Sequence, residues 1–252
     1  MKIIIENNNL DNYIDSNIEI KDSKIIFKTN GDYTLEYIDS SNINLEIEVL
    51  DDALVKLFIV SYDNDIKVNN HYVLNKNSNL ILFKFYNNKN VDEEVLFDLN
   101  KENAYLSYNF SSISLGCEEY HIIVNHNNHK VTSMVSNKCV GLDKSAIKLV
   151  IDSNLDKGNT DCVMDQYSRI LTIGDVDATI VPNMFIEENS VEARHGSVVG
   201  RIKEEDIFYL TSRGIPEKEA TLLLIKGLIF SNLVVDMEKR AKIFNIIENM
   251  RR

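Results

Sequence analysis

The sequence contains no tryptophan, only three cysteines and no long apolar run. No window approaches the roughly 18 uninterrupted apolar residues of a membrane-spanning helix. The opening Met1-Lys2-Ile3-Ile4-Ile5 is too short for a signal peptide, and no small-residue cleavage site follows it. A cytoplasmic chain is therefore expected. Cys117, Cys139 and Cys162 form no CxxC pair, so neither a zinc ribbon nor a disulfide framework is signalled. Each reads first as a small hydrophobe. No basic run is interleaved with aromatics, and the net charge of −12 would repel phosphates, so nucleic acid is excluded as a partner. P-loop, GxGxxG and GxSxG motifs are missing as well, which argues against nucleotide binding or ester hydrolysis by the chain itself.

What is present divides into two textures. The hydrophobic fraction of 44% and charged fraction of 26% are ordinary globular values. Residues 201–252 carry 10 Lys/Arg and 8 Asp/Glu, a net of +2, which leaves −14 for residues 1–200. Through the first 200 residues, short β-branched or aromatic runs recur about every ten residues. Examples are Lys24–Lys28, Thr34–Ile38, Leu54–Val60 and Leu80–Tyr86; Asn44–Val49 alternates polar and apolar. Single Asn, Asp or Gly residues punctuate them, which favours a solenoid over hairpins. Residues 6–16 carry a weak helical pattern.

The C-terminal fifth, residues 203–252, reads as three helices. Glu204, Glu205 and Asp206 suit a first turn, and Gly214 suits the position just past a helix end. Pro216 opens a second helix through Phe230 that is apolar almost all round and must be buried against something. A third helix, about Asp236 to Met250, places Met237, Ala241, Phe244 and Ile247 on one stripe.

The strongest motif is Glu192-Ala193-Arg194-His195-Gly196-Ser197, continued by Asp206-Ile207-Phe208-Tyr209 and Arg213-Gly214-Ile215, then Ala220, Leu223, Leu224 and Gly227. With Pro182 before Phe185-Ile186, this segment resembles the C-terminal core shared by the SufB and SufD families of iron–sulfur cluster assembly proteins. The resemblance spans about residues 120 to 235. It implies a mainly β protein, a right-handed parallel β-helix followed by a C-terminal α-helical domain. The expected divisions are residues 1–110 as a β-rich start, either a separate region or the first β-helix coils, 111–200 as the β-helix core and 201–252 as the helical, ATPase-docking domain.

The same resemblance implies a subunit of a SUF-type assembly complex, acting as scaffold or scaffold partner and having no turnover of its own. A SufC-type ABC ATPase is the expected partner, docked through Phe208, Tyr209, Arg213, Leu224 and Phe230. A second β-helix, a copy of the chain or a SufB-type protein, is expected to pair through strands between Val163 and Arg194. His195 and Cys162 are the residues expected to bind iron or a transient iron–sulfur cluster, since imidazole and thiolate both suit iron. The chain departs from the SufB pattern at Tyr167, where those scaffolds carry cysteine, and is in that respect SufD-like.

Two other readings compete. Asp175, Asp177 and Arg169 suggest a β-helix carbohydrate-active enzyme, although the missing tryptophan and signal peptide weigh against it. A β-helix interaction protein without cluster chemistry is the other. His126 and His129, three apart in an Asn-rich stretch, read as a strand-edge loop rather than a metal site.

Overall fold

The computed structural model describes residues 1–249. Strands β1 (Lys2–Glu6), β2 (Asn9–Leu10), β3 (Tyr13–Ile14), β4 (Ile18–Lys21) and β5 (Lys24–Phe27) begin the chain. The pairs β1–β2, β3–β4 and β4–β5 are antiparallel. The weak helical pattern at 6–16 gives way to these strands. Asn7 and Asn8 both take positive φ (52° and 64°), so Glu6–Asn9 closes as a two-residue hairpin turn, which competes with helix.

From there the chain winds as a solenoid of about six turns with two strands per turn. One sheet takes β6 (Gly31–Ile38), β8 (Leu54–Asp63), β10 (Asn79–Asn88), β12 (Tyr105–Ser114), β14 (Thr132–Gly141), β16 (Cys162–Thr172) and β18 (Val191–Arg201). The other takes β7 (Asn42–Val49), β9 (Ile66–Leu74), β11 (Val91–Leu99), β13 (Cys117–His126), β15 (Ala146–Leu155) and β17 (Asp177–Ile186). Every pairing between turns is parallel, as in Leu54↔Asn79, Asn79↔Tyr105 and Tyr105↔Thr132. The expected boundary at residue 110 falls inside β12, within this continuous ladder.

The corners explain the single-residue punctuation. Asp52, Asn77, Asn103, Lys130 and Asp161 recur at one corner, all with φ between 54° and 61°. Asn and Asp tolerate the left-handed region better than other side-chain-bearing residues. Their side chains also stack: Asn77 Nδ2 donates to Asp52 Oδ1 at 2.7 Å, and Asn103 Nδ2 to Asn77 Oδ1 at 3.0 Å.

Alternation places every second side chain inside, where Leu, Ile, Val, Phe and Tyr from both sheets form one core. A second core lies outside the even-strand sheet. Phe58, Phe85, Ile113, Val140 and Leu171 face outward there and are covered by helices α2 (Glu217–Phe230) and α3 (Met237–Asn249). The apolar α2 thus finds its cover within the chain, burying Ala220, Leu222, Ile225 and Ile229. Of the expected stripe on α3, Ile247 is buried and is joined by Ile243, whereas Met237 is 81% exposed and Phe244 41%. Between the helices, Asn232 is sunk into the sheet surface, donating to Phe110 O at 2.7 Å and Ser136 O at 3.1 Å.

Candidate functional site

The two ends of the solenoid differ. At the N-terminal end the edges are the two-residue strands β2 and β3, so few backbone groups are left open. At the C-terminal end the edges are β17, with 10 residues, and β18, with 11. Each pairs on one side only, β17 with β15 and β18 with β16. Among the described residues nothing caps this end. Core-register residues there, Ile180, Pro182, Met184 and Val191, are only partly buried. Pro182 is accommodated because an edge strand tolerates a residue with no N–H to offer.

His195 stands in the middle of β18, exposed, in register with Gln166 of β16. Gln166 is buried and points inward, donating to Ser153 Oγ at 2.6 Å and to Asn183 O of β17 at 3.2 Å. The imidazole therefore belongs to the interior-facing row, on a turn that no further turn covers. Gly196 belongs to the opposite row. It does not open space beside His195; a Cβ there would lie 3.4 Å from the ring of Tyr167, which packs over it. Arg194, also on that outer row, lies 3.4 Å from Asp165.

The structure does not bring Cys162 and His195 together in one chain. Cys162 opens β16 opposite Val191, four residues along the strand from the level of His195, roughly 13 Å away. Its side chain is buried, with Sγ 3.3 Å from the carbonyl oxygens of both Asn128 and Asn159. Burial pushes the thiol pKa up, which disfavours the thiolate a metal needs. The inward register of Cys162 is the physical reason. Tyr167, on the outward row, is 40% exposed. Cys139 is buried like Cys162, whereas Cys117 is exposed. Among the described residues no group of three or more His, Cys, Asp or Glu is placed to hold a metal ion.

The expected docking residues separate into two sets. Helix α1 (Glu204–Thr211) buries none of its residues, and Phe208 and Tyr209 are 72% and 54% exposed. Arg213 lies over the Tyr209 ring, 4.2 Å from its centroid. Leu223 on α2 is also exposed. Leu224 instead lines a cleft between α2 and the sheet, and Phe230 packs at the rim of the second core beneath Arg240.

Other expectations fall apart in space. Arg169 faces outward on the even-strand sheet in that cleft, whereas Asp177 opens β17 on the other sheet and Asp175 sits in the preceding turn. These three do not form one site. His126 is the last residue of β13 and is buried, not in a loop. Its Nδ1 donates to Asn154 O at 3.0 Å and its Nε2 accepts from Ser133 at 2.8 Å. Burial pushes its pKa down to about 4. His129 is exposed beside Glu102.

Sequence reading missed a polar strip inside the solenoid. Lys84 and Glu93 form a fully buried ion pair, with Tyr86 donating to Glu93 at 3.1 Å. The Lys84 ammonium sits about 5 Å from the ring centroids of Tyr86, Tyr108 and Phe110. Glu118 accepts from Ser112 at 2.9 Å, and burial raises its pKa to about 7. Cys139, in register with Ser112, has a thiol pKa pushed by burial to about 12. The alternation of Lys84 and Glu118 with their neighbours was the available signal, since each sits on the apolar parity of its strand.

Comparison with known proteins identifies the family. Residues 22–228 match the family described as SUF system FeS cluster assembly, SufBD core domain. An iron–sulfur cluster assembly SufBD family protein of Pyrococcus horikoshii is 28% identical over 139 residues, covering 51% of this chain and 29% of its own length. A SufBD family protein of Mycobacterium leprae is 45% identical over 69 residues, 27% of this chain and 17% of the relative. The iron–sulfur cluster assembly protein SufD of Bacillus subtilis is 36% identical over 78 residues, 30% of this chain and 17% of the relative. The matched stretches thus span less than a third of each relative. With more than half of its length matched by the core-domain family, and with a parallel solenoid followed by helices, the chain belongs to the SufBD family of iron–sulfur cluster assembly proteins.

Proposed function

We propose that the chain is a subunit of a SUF-type iron–sulfur assembly complex that pairs with a second β-helix through β17 and β18. The observation that carries this reading is the contrast between a blunted N-terminal end and a C-terminal end with two long free edges. An open edge of ten or more residues offers backbone donors and acceptors to another strand. The second β-helix is a copy of this chain or a SufB-type partner. The complex is cytoplasmic, and the chain itself performs no turnover.

His195 serves at that interface as a ligand to iron or to a nascent cluster, which is the cargo of the assembly. Neutral imidazole is a suitable ligand for iron, and a metal held here needs further ligands from the facing subunit. Cys162 is too deeply placed to join it within one chain; its contribution would require the end of the solenoid to open. The exposed α1 face, with Phe208, Tyr209 and Arg213, docks a SufC-type ATPase, and Leu224 and Phe230 support the adjoining helix. Aromatic and arginine side chains of this kind are the usual anchors of an interface.

The test is anaerobic reconstitution of the assembled complex with iron and sulfide, comparing wild type with His195→Ala. The proposal expects an intact complex that holds less iron and shows weaker cluster absorbance. Wild-type iron content in a correctly assembled His195→Ala complex would remove His195 from the site. For docking, Phe208→Asp adds a charge to a side chain that contributes little to the fold, and it should weaken capture of the ATPase. Unchanged capture by folded Phe208→Asp and Tyr209→Asp variants would refute that surface.

A further inference from the structure

The cleft beneath α2 combines features that the assembly reading does not use. It measures roughly 340 Å³ and lies between the outer surface of the even-strand sheet, α2 and the start of α1. Its floor carries Lys138 and Arg169, which are direct register neighbours on β14 and β16. Lys138 Nζ donates to Ser231 Oγ at 2.9 Å. Among the described residues neither cation has a carboxylate within ion-pair distance, in a chain whose net charge is −12. Lys203 stands at the rim with one acid, Asp206. The opposite wall is apolar, formed by Leu223, Leu224 and Leu228.

Two like charges side by side on adjacent strands repel one another. Lys138 registers this: burial, and then the Arg169 charge, lower its pKa. Gly227 adds a separate observation. It lies inside α2, where glycine costs roughly 1 kcal/mol relative to alanine. Yet a Cβ built there would meet nothing within 4 Å. Packing within the chain does not require that glycine; it keeps the apolar wall of the cleft open.

We infer that this cleft binds a small amphipathic oxyanion, a carboxylate or phosphate group on a compact apolar body. The oxyanion would sit between Lys138, Arg169 and the Ser231 hydroxyl, relieving the cationic repulsion, and the body would lie along Leu224 and Leu228. The volume is near the lower end of small-ligand sites. ATPase docking uses the outer face of α1, and the cleft shares with it only Leu224, which supports the adjoining helix.

The test is calorimetric titration of the full chain with phenyl phosphate and with phenylacetate; inorganic phosphate and benzyl alcohol serve as controls. One of the two amphipathic anions should bind saturably in the millimolar range or tighter, and better than either control. The double variant Lys138→Gln/Arg169→Gln should weaken it by about tenfold or more, the loss expected for removing charge-assisted hydrogen bonds. Gly227→Leu should abolish binding by filling the cleft without lowering thermal stability, since helix propensity improves. The inference fails if neither anion binds at millimolar concentration. It fails also if binding survives in folded Gly227→Leu, which would put the anion elsewhere. Binding that is unchanged in the charge variant would leave an apolar recess without anion preference, and would overturn it equally.

Discussion

Individual residues inside the solenoid set its response to pH. Glu118 is buried, and its pKa of about 7 in the folded chain stands above the ordinary value of 4.5. Between these values the native state binds the proton more readily than the unfolded state. Its contribution is therefore full below about pH 4.5 and is lost as pH rises through 7. Glu118→Gln removes that loss, so the variant should gain stability relative to wild type as pH rises from 4.5 to 7, by about 3 kcal/mol at the upper end. Urea denaturation at several pH values measures it, and a pH-independent difference would contradict the account. His126 has the opposite sign: with its pKa lowered from 6.5 to about 4, its cost grows as pH falls through that window. The two effects oppose one another in wild type, which is why the single variants are informative. At the Lys84–Glu93 pair, Glu93→Gln leaves a buried ammonium without its counter-charge and should cost about 3–5 kcal/mol.

At the scale of elements, much was legible in the sequence. β-branched alternation located the strands, and Asn, Asp and Gly marked corners because those residues tolerate positive φ. Gly214, at φ 85°, ends α1 with its N–H bonded to Thr211 O at 2.9 Å, as its place before Pro216 suggested. Pairing across turns was not legible. Parallel strands that meet lie 22 to 32 residues apart, as Lys24 and Glu46 or Lys2 and Thr34 do, so parity along each strand reveals a buried face but not its neighbour. For that reason Cys162 was placed beside His195, although the register separates them. The same limit hid the packing of α2: an all-round apolar helix needs cover, and the sequence does not say that the cover is Phe85, Ile113 and Val140 of its own chain. Asn232 anchors that packing through the Phe110 and Ser136 carbonyls. Asn232→Ala should cost about 1–3 kcal/mol by leaving those groups unpaired. Proteolysis in the stretch near Lys203 should accelerate as the helices detach. Unchanged stability and cleavage would show that α2 is held by apolar contact alone.

The whole molecule is an asymmetric solenoid. Its N-terminal end is closed by hairpins and two-residue edges, and its second core seats the helices on one flank. That leaves the C-terminal end, with β17 and β18 as its edges and His195 at the middle of one of them. The proposed function assigns one surface to a second β-helix and another to the ATPase, with the even-strand sheet between them as the element that would couple the two. That coupling requires the first contact to exist. Sedimentation velocity across the micromolar range, on the chain alone and mixed with a SufB-type protein, tests it most directly. The account predicts a two-chain species in at least one of the two samples, lost on Val199→Pro, which removes a backbone donor from the open edge of β18. A monomer in both samples at every concentration would contradict the assignment of β17 and β18 as a pairing surface.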